Sequence, residues 1–132
     1  MIGIIVIAHG RLAYEFVAVL EHVAGPRNNL KALGINPDDN IIAQRVTLEE
    51  MITQVDSGRG VVLATDMFGG TPSNLAIAVS KGKNVEVVAG VNLPMLIDLV
   101  QRREANLSLN DIVLASRAAG QNYMNVASSF VA

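Results

Sequence analysis

The chain has 132 residues, 51% hydrophobic and 17% charged, enough apolar material for a real core and a length that suits one domain over 1–132. Ten Lys and Arg against 12 Asp and Glu give a formal net charge of −2, and aromatic residues are 4% with no Trp, so neither a basic nucleic-acid footprint nor a base-stacking platform is expected. The absence of cysteine excludes disulfides, thiol catalysis and cysteine-based metal sites.

The first element is Met1 to Ala8, a continuous run of mostly β-branched apolar residues. Such runs read as central parallel strands covered on both faces. This one is far shorter than the ~20 residues of a spanning helix. It also lacks the basic start of a signal peptide. A soluble, cytoplasmic chain with no membrane insertion is therefore expected, despite a mean hydropathy of +0.39.

A helix follows, with Leu12, Phe16, Val19, Leu20 and Val23 on one face and His22 outside it. Gly25 and Pro26 end it. Leu30 to Ile35 reads as a weaker strand near a sheet edge. Asp38, Asp39 and Asn40 are N-cap residues for a helix that turns Ile41, Leu48, Met51, Ile52 and Val55 inward. Val61 to Thr65 and Val85 to Ala89 read as further covered strands. Between them Thr71 caps a short helix to about Ser80, with Pro72 at the first helical position. Pro94 opens a helix over Met95 to Arg103. Ser108 with Asp111 opens a last one, running past Gly120 to about Ala127. The order β-α-β-α-β-α-β-α-α predicts an α/β fold: a mostly parallel four-stranded sheet with helices on both faces, in three layers as in flavodoxin-like folds.

Ligands of such sheets bind beyond the carboxyl ends of the strands, so the residues after each strand carry the chemistry. His9 follows the first strand and Asp66 the third. Taken alone, His9 reads equally as a structural histidine and Asp66 as a loop or capping residue. On adjacent strands ~4.8 Å apart they come within hydrogen-bond reach. The carboxylate then fixes the histidine tautomer and leaves the other ring nitrogen as a nucleophile. Gly69, Gly70 and Thr71 lead into a helix start, whose free N–H groups suit an anionic phosphoryl group or simply mark a glycine turn and cap. Neither G-x-x-x-x-G-K-[ST] nor G-x-G-x-x-G is present. Arg11 either screens phosphate charge or is a solvated helix-start residue. Met67 and Phe68 either form a docking patch or plug the end of the sheet.

Three segments carry a resemblance to a known family: Ile4 to Gly10 with Ala8-His9-Gly10, Thr65 to Asn74 (Thr-Asp-Met-Phe-Gly-Gly-Thr-Pro-Ser-Asn), and Ala89 to Leu96. In order and spacing they resemble the enzyme IIA domain of the mannose family of the bacterial phosphoenolpyruvate-dependent sugar phosphotransferase system. The resemblance implies a homodimer in which a C-terminal strand can be exchanged, here Ser128 to Ala132. It implies that His9 is phosphorylated, that Asp66 orients it through Nδ1, and that Nε2 attacks phosphorus. The backbone around Gly69, Gly70 and Thr71 would bind the phosphoryl oxygens. The implied donor is the phosphocarrier HPr and the implied acceptor an enzyme IIB protein, with no cofactor or metal. Two related roles share these residues: a regulatory phosphoprotein of an incomplete system, and a phosphoryl donor to dihydroxyacetone kinase. A flavodoxin-like binding or hydrolytic domain is the competing reading, with few aromatics to hold a flavin.

Overall fold

The computed structural model describes residues 1–131. The strands are β1 (Gly3–His9), β2 (Leu30–Ile35), β3 (Val61–Thr65) and β4 (Val85–Ala89). They form one parallel sheet in the order β2-β1-β3-β4. The helices are α1 (Leu12–Ala24), α2 (Ile41–Val55), α3 (Thr71–Ser80), α4 (Leu93–Arg102) and α5 (Leu109–Asn122). A short 3-10 turn occupies Ala127–Ser129.

Alternation along β1 and β3 divides the core in two. Ile4, Val6, Val62 and Ala64 face the layer of α1, α4 and α5, where Leu20, Leu96, Leu99 and Ile112 meet them. Ile5, Ile7 and Leu63 face α2 and α3 and pack on Leu48, Ile52, Val55, Leu75 and Val79. Both faces are dry, which is why β1 and β3 read as unbroken apolar runs. β4 is not a central strand: it lies at the open edge, and its residues Val85, Glu86 and Val87 are half-buried. β2 holds the other edge, as its weaker pattern suggests.

The inward face of α1 differs from the expected stripe. Ala13 and Leu20 are buried, and Phe16, Val17 and Ala24 pack beside them, while Leu12, Val19 and Val23 are exposed. The helix is apolar nearly all round, so two stripes satisfy the 3.6-residue period and share Phe16 and Leu20. In α2, Ile41 also points outward. It lines a cleft against α3 with Thr71, Asn74 and Leu75.

Caps account for the remaining boundaries. Asn40 Oδ1 accepts the Ala43 N–H at 3.1 Å, Asn92 Oδ1 the Met95 N–H at 2.9 Å, and Ser108 Oγ the Asp111 N–H at 3.1 Å. Asn92 thus starts α4 at Leu93, one residue before Pro94. Gly70, not Thr71, holds the cap position of α3, so Thr71 is its first residue and Pro72 its second. The last helix stops at Asn122 instead of reaching Ala127, and the segment after it is exposed. Of the residues expected to form an exchanged strand, Ser128 and Ser129 lie in the 3-10 turn and Ala132 lies outside the described residues.

Candidate phosphoryl-transfer site

The strand order reverses between β1 and β3: from β1 the chain crosses to β2 on one side, and from β3 to β4 on the other. Two loops diverge there and leave a crevice at the carboxyl edge. Ile7 of β1 pairs with Thr65 of β3. Two residues beyond Ile7 stands His9; directly after Thr65 stands Asp66.

The pairing brings the two side chains together. His9 Nδ1 lies 2.7 Å from Asp66 Oδ2. The same oxygen accepts the His9 backbone N–H at 3.0 Å. Asp66 Oδ1 accepts the N–H of Met67 at 3.0 Å. One carboxylate thus holds both the main chain and the ring of His9. The Asp66 side chain is 12% exposed and that of His9 51%. Burial raises the Asp66 pKa, but the hydrogen bonds from the His9 N–H, the His9 ring and the Met67 N–H outweigh it, and the carboxyl titrates below its ordinary value. A carboxylate at Nδ1 makes that nitrogen the N–H of the neutral ring and leaves a lone pair on Nε2.

The turn after His9 is pinned as well. Gly10 N–H donates to Ile35 O at 2.8 Å. Gly34 N–H donates to the Tyr14 hydroxyl at 3.1 Å. A Cβ at Gly34 would collide with the Gly10 carbonyl and the Tyr14 ring. Packing on β2 therefore fixes where β1 delivers His9.

The opposite wall is the loop into α3. Gly69 and Gly70 have φ of +84° and +85°, a region L side chains rarely adopt. A Cβ at Gly70 would stand 3.3 Å from His9 Cε1 and 3.4 Å from Nε2. The glycine backbone hence lies against the ring edge that Asp66 leaves free. Asn74 N–H donates to Gly70 O at 3.0 Å and closes the first turn. By helix geometry the N–H of Thr71 has no carbonyl within α3, and Pro72 has no N–H at all. The positive end of the α3 dipole points at the same edge.

Other site residues resolve as follows. Arg11 is turned along its own helix, 3.7 Å from Glu15 and 5.6 Å from the Tyr14 ring centroid. Met67 and Phe68 do not plug the sheet: they are 56% and 80% exposed. Ile42, in the first turn of α2, is 79% exposed, and Ile41 and Ile42 line a cleft with Thr71 and Asn74. Ile41 fits an inward stripe and gave no signal for this second apolar rim, whereas Ile42 lies off that stripe. Thr65 and Ser73 are fully buried, and neither hydroxyl has a hydrogen-bond partner among the described residues. Among the described residues no three His, Cys, Asp or Glu side chains converge as a metal site.

This architecture has close parallels. The family model for the PTS system fructose IIA component matches residues 3–116. The chain belongs to that family. It is 28% identical over 129 residues to the PTS system fructose-specific EIIA component of Bacillus subtilis, a match covering 97% of this chain and 88% of that one. It is 29% identical over 122 residues to the PTS system mannose-specific EIIAB component of Escherichia coli, covering 91% of this chain. The chain spans 38% of the length of that relative. The crystal structure of phosphotransferase system component EIIA from Streptococcus agalactiae superposes with a TM-score of 0.88 at 26% identity, over 98% of this chain and 99% of that one. The family is that of sugar phosphotransferase-system IIA components, in agreement with the fold and with the resemblance carried by Ala8-His9-Gly10 and Thr65 to Asn74. No helix among the described residues is long and apolar enough to cross a membrane.

Proposed function

We propose that residues 1–132 are a single enzyme IIA domain of the mannose type, which accepts a phosphoryl group on His9 and passes it on. The observation that carries the reading is the 2.7 Å contact of His9 Nδ1 with Asp66 Oδ2, which leaves Nε2 facing Gly70. The donor is the phosphohistidine of HPr. The lone pair of His9 Nε2 attacks its phosphorus in line. The new P–N bond forms as the donor's P–N bond breaks, and the donor ring leaves with its electron pair. As Nε2 is consumed the His9 ring gains positive charge, with its Nδ1 proton held by the Asp66 carboxylate. The Gly70–Thr71 backbone and the α3 dipole offset charge on the phosphoryl oxygens. Positioning and electrostatics supply the catalysis, as is usual for phosphoryl transfer. The reverse sequence delivers the group to an enzyme IIB protein, and no cofactor or metal enters.

Exposed Met67 and Phe68 in the loop after Asp66, with exposed Ile42 in a cleft that reaches Thr71, support a protein partner, because large apolar side chains near a site favour macromolecular docking over a small ligand. A homodimer is part of the same reading. Tyr123, Met124, Val126, Phe130 and Val131 are all exposed after α5, and the open edge of β4 remains unpaired in the single chain. The reading places the protein in the cytoplasm. Phosphorylation by phosphoenolpyruvate, enzyme I and HPr tests it: one acid-labile phosphoryl group per chain, absent from His9→Ala, is expected, and unmodified wild-type protein beside phosphorylated HPr would contradict it.

A further inference from the structure

The amino ends of the strands hold a second polar cavity, at the opposite edge of the sheet from His9. Its volume is about 480 Å³, and Arg27, Asn28, Val100, Gln101, Arg103 and Glu104 contribute to its lining. Arg103 is 2% exposed. Its guanidinium donates to Asn28 O at 2.7 Å and Asn29 O at 3.3 Å, which joins the end of α4 to the entry of β2. Those carbonyls satisfy hydrogen bonds and supply no counter-charge. Arg27 donates at 3.2 Å to its own neighbour, Pro26 O. Among the described residues neither guanidinium forms an ion pair, although Arg11, Arg45 and Arg102 each do.

Two guanidiniums therefore share one cavity, and among its described lining residues Glu104 is the single carboxylate. Burial pulls the Arg103 pKa down, the charge of Arg27 pulls it down further, and Glu104 acts the other way. A buried cation without an anion is costly, and a second cation beside it adds to the cost. An anion seated between them would relieve both. Guanidinium geometry favours phosphate and carboxylate groups, which accept paired hydrogen bonds.

We propose that this cavity binds a small phosphate-bearing anion between Arg27 and Arg103, with Asn28 and Gln101 as polar partners. The site is independent of His9, so its failure would leave the phosphocarrier reading intact.

The test is an amide NMR titration of the full chain with inorganic pyrophosphate, against sodium chloride at matched ionic strength. Pyrophosphate should shift Asn28, Gln101 and Arg103 in a saturable way. Arg27→Ala should weaken that binding roughly tenfold, and Arg27→Lys, which keeps charge and loses the fork, should fall between. Among the described residues Arg27 bonds only its neighbour's carbonyl, so Arg27→Ala should fold and still be phosphorylated on His9. Shifts confined to Gly69–Thr71, shifts reproduced by sodium chloride, equal binding by Arg27→Ala, or no shifts at all would overturn the proposal.

Discussion

Asp66 holds His9 twice with one oxygen: Oδ2 accepts the His9 backbone N–H at 3.0 Å and meets ring Nδ1 at 2.7 Å. The double contact ties the ring's rotation to the β1–β3 register, so the nucleophile is aimed by the sheet itself. Replacing Asp66 by Asn keeps the shape and removes the charge. A carboxamide can also present its NH2 group to the ring and favour the wrong tautomer. Asp66→Asn should slow phosphoryl uptake by roughly 10²-fold or more. Its thermal stability should fall by no more than about 1.5–3 kcal/mol, the worth of a charge-assisted hydrogen bond. Rapid-quench phosphorylation alongside thermal unfolding separates the two effects. Wild-type transfer rates would show that the carboxylate does not orient His9.

Gly70→Ala probes the opposite wall. The new methyl would stand 3.3–3.4 Å from the His9 ring, on a backbone with φ of +85°. Strain at such a position costs on the order of 1 kcal/mol or more. Uptake should fall at least ~10-fold because the methyl occupies the approach to Nε2. Gly69→Ala has a similar φ but open space around its Cβ. It should lose comparable stability and less activity. Equal kinetic losses in the two variants would point to backbone strain alone.

The hydrogen bonds to Asp66 set the sign of its pH dependence. Its folded pKa lies below the ordinary value despite burial, so the folded state binds this proton less readily than the unfolded chain does. The linked stability is fully present above the unfolded carboxyl pKa of about 3.9 and is lost as pH falls through the folded value. Asp98, depressed by hydrogen bonds from Arg102 and Ser116 against its own burial, contributes with the same sign. Carboxyl 13C titration should place the Asp66 midpoint below ~3.9. A midpoint above that would mean burial outweighs the His9 and Met67 hydrogen bonds.

Phe68 and Ile42 stand proud of the site at 80% and 79% exposure. Truncating either to Ala should leave folding stability within about 0.5 kcal/mol. If they dock the phosphoryl donor, each should cost roughly 1–2 kcal/mol of encounter affinity, as interface anchors do. Phosphorylation kinetics against HPr concentration would then show KM rising ~5–30-fold with kcat little changed. An unchanged KM in both would place the docking surface elsewhere.

The buried hydroxyls of Thr65 and Ser73 have no partners among the described residues. An unsatisfied buried polar group costs ~1–3 kcal/mol. Thr65→Val and Ser73→Ala should therefore be neutral or stabilising, by up to about 1 kcal/mol, in chemical denaturation. A clear loss of stability in either would reveal a bond that the hydroxyl makes in solution.

Much of this was legible in the sequence because the fold repeats simple signals. The apolar runs at Met1–Ala8 and Val61–Thr65 read as covered strands, and the residues directly after them, His9 and Asp66, were expected at the sheet's carboxyl edge. Register was not legible: nothing in the sequence pairs Ile7 with Thr65, yet that pairing makes the 2.7 Å contact. The buried side of α1 was also hidden, since a helix apolar on several faces offers more than one stripe. The outward turn of Ile41 was hidden too, because the cleft it lines is closed by Thr71 and Asn74 of α3, which local pattern does not report. Val85 to Ala89 reads like a covered strand because periodicity carries apolar content and not position in the sheet. Arg103 in the sequence is one of two adjacent arginines; the fold pairs Arg102 with Asp98 and buries Arg103 against carbonyls.

Intact-mass measurement after incubation with phosphoenolpyruvate, enzyme I and HPr tests the central claim most directly. The geometry at His9 predicts a single added phosphoryl group, labile in acid and absent from His9→Ala. Wild-type protein left unmodified while HPr carries its phosphoryl group, or a His9→Ala variant modified to the same extent, would contradict it.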